Sequence, residues 1–317
     1  MPSYAEAAAA VEAARSVAVV GHVRPDADAI GSVCATVGAL RRLGKEAVGL
    51  IGQPRPFAEN LRTIPGADEV RLADELPEVD LVITVDCGSI DRTGALAPAI
   101  AARPEDTLVI DHHSSNPGFG RVNLLDLEAE STTTILGRLF DHLGVTLDRP
   151  IAHGLYAGLL TDTGSFRWGT PHMHAFAARL METGLDVRSI AVDLLDSGTV
   201  VDLRMMGRAL SSVQVHEAGR HRVAVIVADH DLIRTGSLPA VEGLVDFVRS
   251  LEGTDLGAVF KETLPGVWHV SLRSNEMNVS LVAVALGGGG HIPAAGYTAH
   301  GTVDEVLEEL LGQLRTS

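Results

Sequence analysis

The sequence predicts an α/β protein built as a doubly wound, mainly parallel-sheet N-terminal domain, a helical connector and a smaller α/β C-terminal domain. Three observations carry this expectation. Short Val/Ile/Leu runs without polar alternation recur between helix-periodic segments, as in strands buried on both faces of a parallel sheet. At 317 residues the chain exceeds the size at which one core keeps growing, so two domains are expected. Most apolar runs of the first half also end on His or Asp, and open α/β sheets bind ligands at their carboxyl edge. The boundaries read as residues 1–185, 186–214 and 215–317.

In chain order, an Ala-rich helix comes first. Strand-like runs follow at Ser16–His22, Lys45–Gly52, Asp80–Asp86 and Thr107–His113. Helical segments are expected at Ile30–Leu43, Pro56–Ile64, Leu96–Ala102 and Thr132–Leu143, and a further helical run from Ile151 ends in GLLTDTGSFRW. From Pro171 to Val213 the chain reads as helical, its last part forming the connector. In the second half RHRVAVIVA, LGAVFKET and GVWHVSLRS read as strands and AVEGLVDFVRSLEG as a helix. VSLVAVALGGGGHIPAAG runs a helix into four glycines, and VDEVLEELLGQL closes the chain as an amphipathic helix.

Composition narrows the function. A formal net charge of -16 argues against broad binding to long nucleic acid, duplex included, and only 4% of residues are aromatic, leaving few stacking platforms for a long single strand. A short phosphorylated ligand fits better, provided metals or local arginines reverse the field around it. Two cysteines, Cys34 and Cys87, lie far apart in apolar contexts and read as reduced thiols of a cytoplasmic protein. Cys87 stands beside Asp86, which leaves metal approach as the lesser alternative. The amino end has no basic signal-peptide region, and no apolar run is long enough to span a membrane.

The chemistry is concentrated in four motifs. GHVRPDADAIGS (residues 21–32) places His22, Asp26 and Asp28 in a polar loop between a strand and a helix. Alone it reads equally as a solvated helix cap, although paired aspartates repel and resist clustering unless a cation compensates. VDCGS adds Asp86, DHHSSN adds Asp111, His112 and His113, and TDTGSF adds Asp162. His22, Asp26, Asp28, Asp86, His112 and Asp162 make two imidazoles and four carboxylates, too many for one ion and suited to two divalent ions. Such pairs sit about 3.5–4 Å apart, activate water and neutralise charge on a phosphoryl oxygen. With no thiolate in the set, Mn²⁺ or Mg²⁺ is favoured, and Zn²⁺, Co²⁺ or Fe²⁺ compete.

In the second half, the Gly288–Gly289–Gly290–His291 loop follows shortly after Arg273 and Ser274. Backbone amides of a Gly-rich turn make an anion-binding concavity, and an arginine adds a bidentate partner. Asn116 and Arg167 flank motifs and read either as substrate contacts or as a turn cap and a solvated arginine. His172 and His174 in PHMH read as surface histidines, and Trp168 and Trp268 as packing or as base-stacking residues.

HVRPDADAIGS, VDCGS, DHHSSN, TDTGSF and GGGGHIPAAG, in this order over about residues 15–300, resemble the motifs of the DHH phosphoesterase family with its DHH-associated C-terminal domain. The subgroup they are most similar to is that of the NrnA-type oligoribonucleases and pAp phosphatases. The resemblance implies that His22 and Asp26 hold one metal, that Asp28, His112 and Asp162 hold the other, and that Asp86 bridges both. It implies His113 at the scissile phosphate, with Asp111 fixing a neighbouring imidazole. Arg273, Ser274, Gly288, Gly289, Gly290 and His291 would grip the remote phosphate from the far wall of an interdomain cleft that admits only short substrates. The expected activity is degradation of very short RNA to mononucleotides and dephosphorylation of pAp, with cleavage of c-di-AMP or pApA as the alternative. A family II pyrophosphatase, a RecJ-like exonuclease on long strands and a non-hydrolysing nucleotide sensor are the further alternatives. A homodimer is expected by resemblance only.

Overall fold

The computed structural model describes residues 3–196, 198–249 and 251–316, and the chain divides into two compact units, Met1–Ser197 and Gly198–Ser317. The first unit opens with α1 (Tyr4–Ala13), β1 (Ser16–Gly21), α2 (Ala27–Arg42), β2 (Glu46–Ile51), β3 (Arg71–Leu72) and β4 (Leu81–Val85). It continues with α3 (Ala97–Ala101), β5 (Thr107–Asp111), β6 (Val122–Leu125), α4 (Thr132–His142), α5 (Arg149–Asp162), α6 (Pro171–Met181) and α7 (Val187–Leu195). Its six strands run in the order β3-β2-β1-β4-β5-β6, every neighbouring pair parallel. This is the doubly wound sheet that the apolar runs predict.

Burial on both faces explains those runs. Val17 and Val19 of β1 point into the main core with α2, α4 and α5, whereas Ala18 and Val20 point to a second cluster with Leu96 and Ile100. Helices α2, which carries Asp28, and α5, which ends on Asp162, press closely together. A Cβ on Gly31 would lie 2.3 Å from the Gly154 carbonyl oxygen, and one on Gly154 would lie 2.7 Å from that of Gly31. Only glycine at both crossing positions lets the backbones meet at this depth.

The second unit comprises α8 (Val200–Leu210), β7 (Gln214–Ala218), β8 (His221–Ala228), α9 (His230–Ile233), α10 (Leu238–Gly243), β9 (Leu256–Leu264) and β10 (Val267–Arg273). It closes with α11 (Val279–Ala285), β11 (Gly289–His291), β12 (Ala294–His300) and α12 (Val303–Arg315). Its sheet has the order β11-β12-β10-β9-β8-β7; only β8 and β9 pair in parallel. One face packs on α11 and α12 through Phe260, Trp268, Val270 and Leu272, and the other packs β8 and β9 against α8 and α10.

Several expectations are corrected. Pro56–Ile64 holds a short 3₁₀ turn at Glu59–Thr63 in place of a regular helix. AVEGLVDFVRSLEG breaks after Gly243, α10 giving way to a 3₁₀ turn at Leu244–Phe247, because glycine and three valines lower its helix propensity. The glycine run does not stay a loop: Gly289–His291 pairs with β12, a strand whose small residues AAGYTAH gave no apolar signal. The 186–214 connector is largely α7 and α8, one in each compact unit, and Ser197 within it lies outside the described residues. Among the described residues no helix is long and apolar enough to cross a membrane.

Candidate metal centre

Each polar motif of the first unit sits at the end of an element. His22 follows β1, Asp86 follows β4, Asp111 ends β5 with His112 and His113 just beyond, and Asp162 ends α5. Asp26 is the N-cap of α2, and Asp28 lies in its first turn. Asp26 turns its two oxygens to different neighbours: Oδ1 accepts from Ala29 N at 3.0 Å, as a helix cap does, while Oδ2 lies 3.6 Å from His22 Nε2.

The side chains converge. Ligand atoms of His22, Asp26 and Asp86 lie within 4.8 Å of one another, and so do those of Asp28, His112 and Asp162. Asp86 joins the two sets, its Oδ2 3.4 Å from His22 Nε2 and its Oδ1 3.7 Å from His112 Nε2. His112 Nε2 also stands 3.3 Å from Asp162 Oδ2 and 3.9 Å from Asp28 Oδ2. A third set, Asp86, Asp111 and His113, adjoins them.

The electrostatics state what is lacking. Burial, joined by Asp86 and Asp162, pushes the Asp28 carboxyl well above the usual carboxylate range. Burial also lifts Asp162 to about 6 against the pull of His112. Burial opposes charge on the imidazoles too, yet Asp26 and Asp86 outweigh it and raise His22 to about 10, and Asp162, Asp86 and Asp28 raise His112 well above its ordinary value. Asp28, Asp162 and both imidazoles are driven to hold protons, while His22 holds the Asp26 carboxyl below the usual carboxylate range, as in a buried cluster whose carboxylates have only the imidazoles to balance them. Oxygen and imidazole donors short of cationic charge fit divalent metal ions, with protons taking their place when metal is absent.

The motifs do not announce four supporting features. Asp86 holds a left-handed backbone, φ 59°, while 2% exposed. A strained aspartate at the join of two ligand sets is the kind of outlier that collects at functional sites. The N-terminus of α4 receives the carboxylates: Thr132 N and Thr133 N donate to Asp28 at 2.8 and 3.1 Å, and the Thr132 hydroxyl donates to Asp86 at 3.0 Å. Gly158 is required beside them, since a Cβ there would lie 2.2 Å from Asp28 Oδ1. Arg92 brings Nη2 to 2.9 Å from His22 Nδ1. The ST-rich start of α4 was the one signal from which Thr132 could have been picked out.

His113 Nδ1 meets Asp111 Oδ1 at 2.8 Å, and Asp111 also accepts from His112 N and, on Oδ2, from Asn116 at 2.7 Å. Burial would raise the Asp111 carboxyl, but His113 holds it down at about 2. Asn116 Nδ2 donates as well to Cys87 O, so it braces the carboxylate from below. Cys87 is a buried thiol turned to backbone carbonyls, and burial pushes it well above the ordinary thiol range. Trp168 Nε1 donates to Asp162 O and fixes the end of α5, with Arg167 over its ring. His172 and His174 join no cluster of three donor residues among the described residues.

In the second unit Arg273 and His291 occupy one register row, both paired to Ala294. Gly288 and Gly290 have a packing reason of their own: a Cβ would lie 2.1 Å from Gly296 O at the first and 2.6 Å from Ala294 O at the second. Ser274 is already engaged, its hydroxyl donating to Asp255 O just before β9 and accepting from Glu276 N and Met277 N in its own turn.

A six-stranded parallel sheet with an acid-histidine cluster at its strand ends defines a metal-dependent hydrolase class. The DHH family, N-terminal domain, matches residues 16–159, and the DHHA1 domain matches residues 223–316. Over 304 residues the chain is 33% identical to the bifunctional oligoribonuclease and PAP phosphatase NrnA of Thermus thermophilus, covering 94% of this chain and 88% of the relative. It is 26% identical to the protein of the same name from Bacillus subtilis, covering 91% of each. An exopolyphosphatase-related protein from Bacteroides fragilis shares the fold, with a TM-score of 0.85 at 24% identity over 99% of this chain and 95% of that one. The chain belongs to the DHH phosphoesterase family.

Proposed function

We propose that the chain is a two-metal phosphohydrolase that degrades very short oligoribonucleotides from an end and removes the 3′-phosphate of pAp. The observation that carries this is the geometry of Asp86, whose two oxygens face two different histidines, each inside its own triplet of ligand atoms. His22 and Asp26 would hold one divalent ion, Asp28, His112 and Asp162 the other, and Asp86 both, with Mn²⁺ favoured by the hard, thiolate-free donor set. When bound, such a pair activates water and neutralises charge on the phosphoryl group.

The protein's own groups do the rest. Asp111 fixes His113 through Nδ1, so His113 Nε2 can stabilise the phosphoryl oxygens or return a proton to the leaving oxygen. The Thr132 and Thr133 amides hold Asp28 in place and share its charge while it is ionised. Arg273, Ser274, Gly288–Gly290 and His291 are the residues for the substrate's second phosphate. The Thermus and Bacillus names support the substrate class, and the acidic chain favours short over long nucleic acid. A similarity of 24% to a cyclic-di-AMP phosphodiesterase GdpP of Geobacillus thermodenitrificans, over 93% of this chain and 46% of that one, supports cyclic dinucleotides as the second reading.

The test is turnover by the purified chain with Mn²⁺ against pAp, pApA, c-di-AMP, 5-mer RNA and pyrophosphate. Hydrolysis of pAp and the short RNA is expected; cleavage of pyrophosphate alone would overturn the reading.

A further inference from the structure

The turn that follows Asp86 carries a cation to the metal centre. After β4 the chain enters a 3₁₀ turn, Ile90–Leu96, and close approaches to the end of β2 fix its path. A Cβ on Gly52 would lie 2.1 Å from Thr93 O, and one on Gly94, φ 64°, would lie 2.2 Å from Gly52 O. Ala95 N donates to Gly52 O at 2.9 Å, and Arg92 O accepts at 2.8 Å from the amide of Val23, the residue after His22. The backbone of Arg92 is thus held from β2 and from the His22 loop. Its half-buried side chain turns to His22, with Nη2 2.9 Å from Nδ1.

Charge sets this arginine apart. Arg41, Arg42, Arg103, Arg138 and Arg179 of the same unit are each paired with a carboxylate. Arg92 has no ion-pair partner among the described residues and rests on an imidazole. That contact is contested: Val23 O, which can only accept, also lies 2.9 Å from His22 Nδ1, and a guanidinium can only donate. Nδ1 serves one of them at a time. When His22 offers the lone pair of Nε2 to an ion, its proton sits on Nδ1 and goes to Val23 O, as metal-bound imidazoles give theirs to a carbonyl. The guanidinium then has no acceptor on the ring. Asp26, Asp28, Asp86 and Asp162 together balance the charge of two divalent ions, so a phosphoryl group enters with its own negative charge unmatched.

We propose that Arg92 is a catalytic residue of the centre, its guanidinium leaving His22 Nδ1 to bind the non-bridging oxygens of the phosphoryl group under attack. The planar fork of a guanidinium suits two such oxygens, and its charge meets the negative charge that gathers there in the transition state. The proposal rests on the phosphohydrolase reading for its substrate and goes beyond it in naming the protein's own cation at the reacting group.

The test uses the full chain with Mn²⁺ and compares wild type with Arg92→Ala, Arg92→Gln and Arg92→Lys. Kinetics are measured on pAp and on bis(p-nitrophenyl) phosphate, which has no nucleoside. Ions per chain are counted by native mass spectrometry, and affinity for inorganic phosphate is measured by calorimetry. Arg92→Ala is expected to hold as many ions as wild type, to lower kcat on both substrates about a hundredfold and to bind phosphate about tenfold more weakly. Arg92→Gln, which fills more of the same space, is read in its place if Arg92→Ala melts early. Arg92→Lys, which keeps the charge without the fork, is expected to recover part of each loss. Loss of an ion in Arg92→Ala and Arg92→Gln would make Arg92 a support for His22 and overturn the proposal, as would a loss confined to pAp or rates equal to wild type. Failure of wild type to hydrolyse pAp and short RNA sinks the proposed function instead, and the phosphate titration still reads Arg92: tenfold weakening in Arg92→Gln supports the proposal, and equal affinity or no binding by wild type overturns it.

Discussion

Asp86 shows how a single residue can be asked for two things at once. Its charge joins the two histidine-carboxylate sets, and its backbone sits in a left-handed conformation that aspartate and asparagine tolerate best among residues with a Cβ. Asp86→Asn therefore removes the charge while keeping size and backbone preference. The expected outcome is unchanged folding by circular dichroism, loss of one bound Mn²⁺ by native mass spectrometry, and at least a hundredfold fall in phosphodiesterase kcat/KM. Asp202 gives a prediction of a different kind. Backbone amides of Ser237 and Thr199, with the Thr199 hydroxyl, hold its carboxyl down at about 2, below its unfolded value near 3.9. A depressed carboxyl contributes stability fully above the unfolded value and loses it as pH falls toward the folded one. Urea midpoints of Asp202→Asn are expected to lie below wild type at pH 7 and to converge with it as pH drops from 4 to 2. A gap that stays constant over that window would assign the effect to packing.

Among the elements, the α2–α5 pair positions the centre, because one helix carries Asp26 and Asp28 at its start and the other carries Asp162 at its end. Gly31 and Gly154 set their separation, and either residue changed to Ala is expected to cost about 1–3 kcal/mol through overpacking. Gly158→Ala acts elsewhere: its methyl would strike Asp28 Oδ1, so metal affinity is expected to fall before stability does, as titration with Mn²⁺ beside a thermal melt would show. These helices and strands β1, β2, β4 and β5 were legible because their apolar residues are continuous and their polar residues stand at the ends. Strands β3, β6 and β12 were not, the first two being two and four residues long and the third largely Ala, Gly and Thr. The same limit applies to the site. Asp and His at strand ends announce themselves, whereas Thr132, Gly158 and Arg92 acquire meaning only once register and helix approach are fixed.

For the whole molecule, the buried centre is an acidic cluster in which Asp28, Asp162, His22 and His112 lean toward protonation, so protons and metal compete for it. Chelation is expected to abolish phosphodiester hydrolysis and to lower the melting temperature, since ions that bind only the folded state stabilise it by mass action. Re-addition of Mn²⁺ should restore both; a melt indifferent to chelator would mean that the cluster folds without metal. The formal charge of -16 adds that activity on oligonucleotides should fall with length, since each added phosphate meets a repelling surface. The most direct check is the number of ions held by one chain. Native mass spectrometry of the Mn²⁺-titrated protein is expected to show two ions per wild-type chain and at most one in Asp86→Asn. A wild-type chain that saturates with a single ion, or an Asp86→Asn chain that still holds two, would contradict the account.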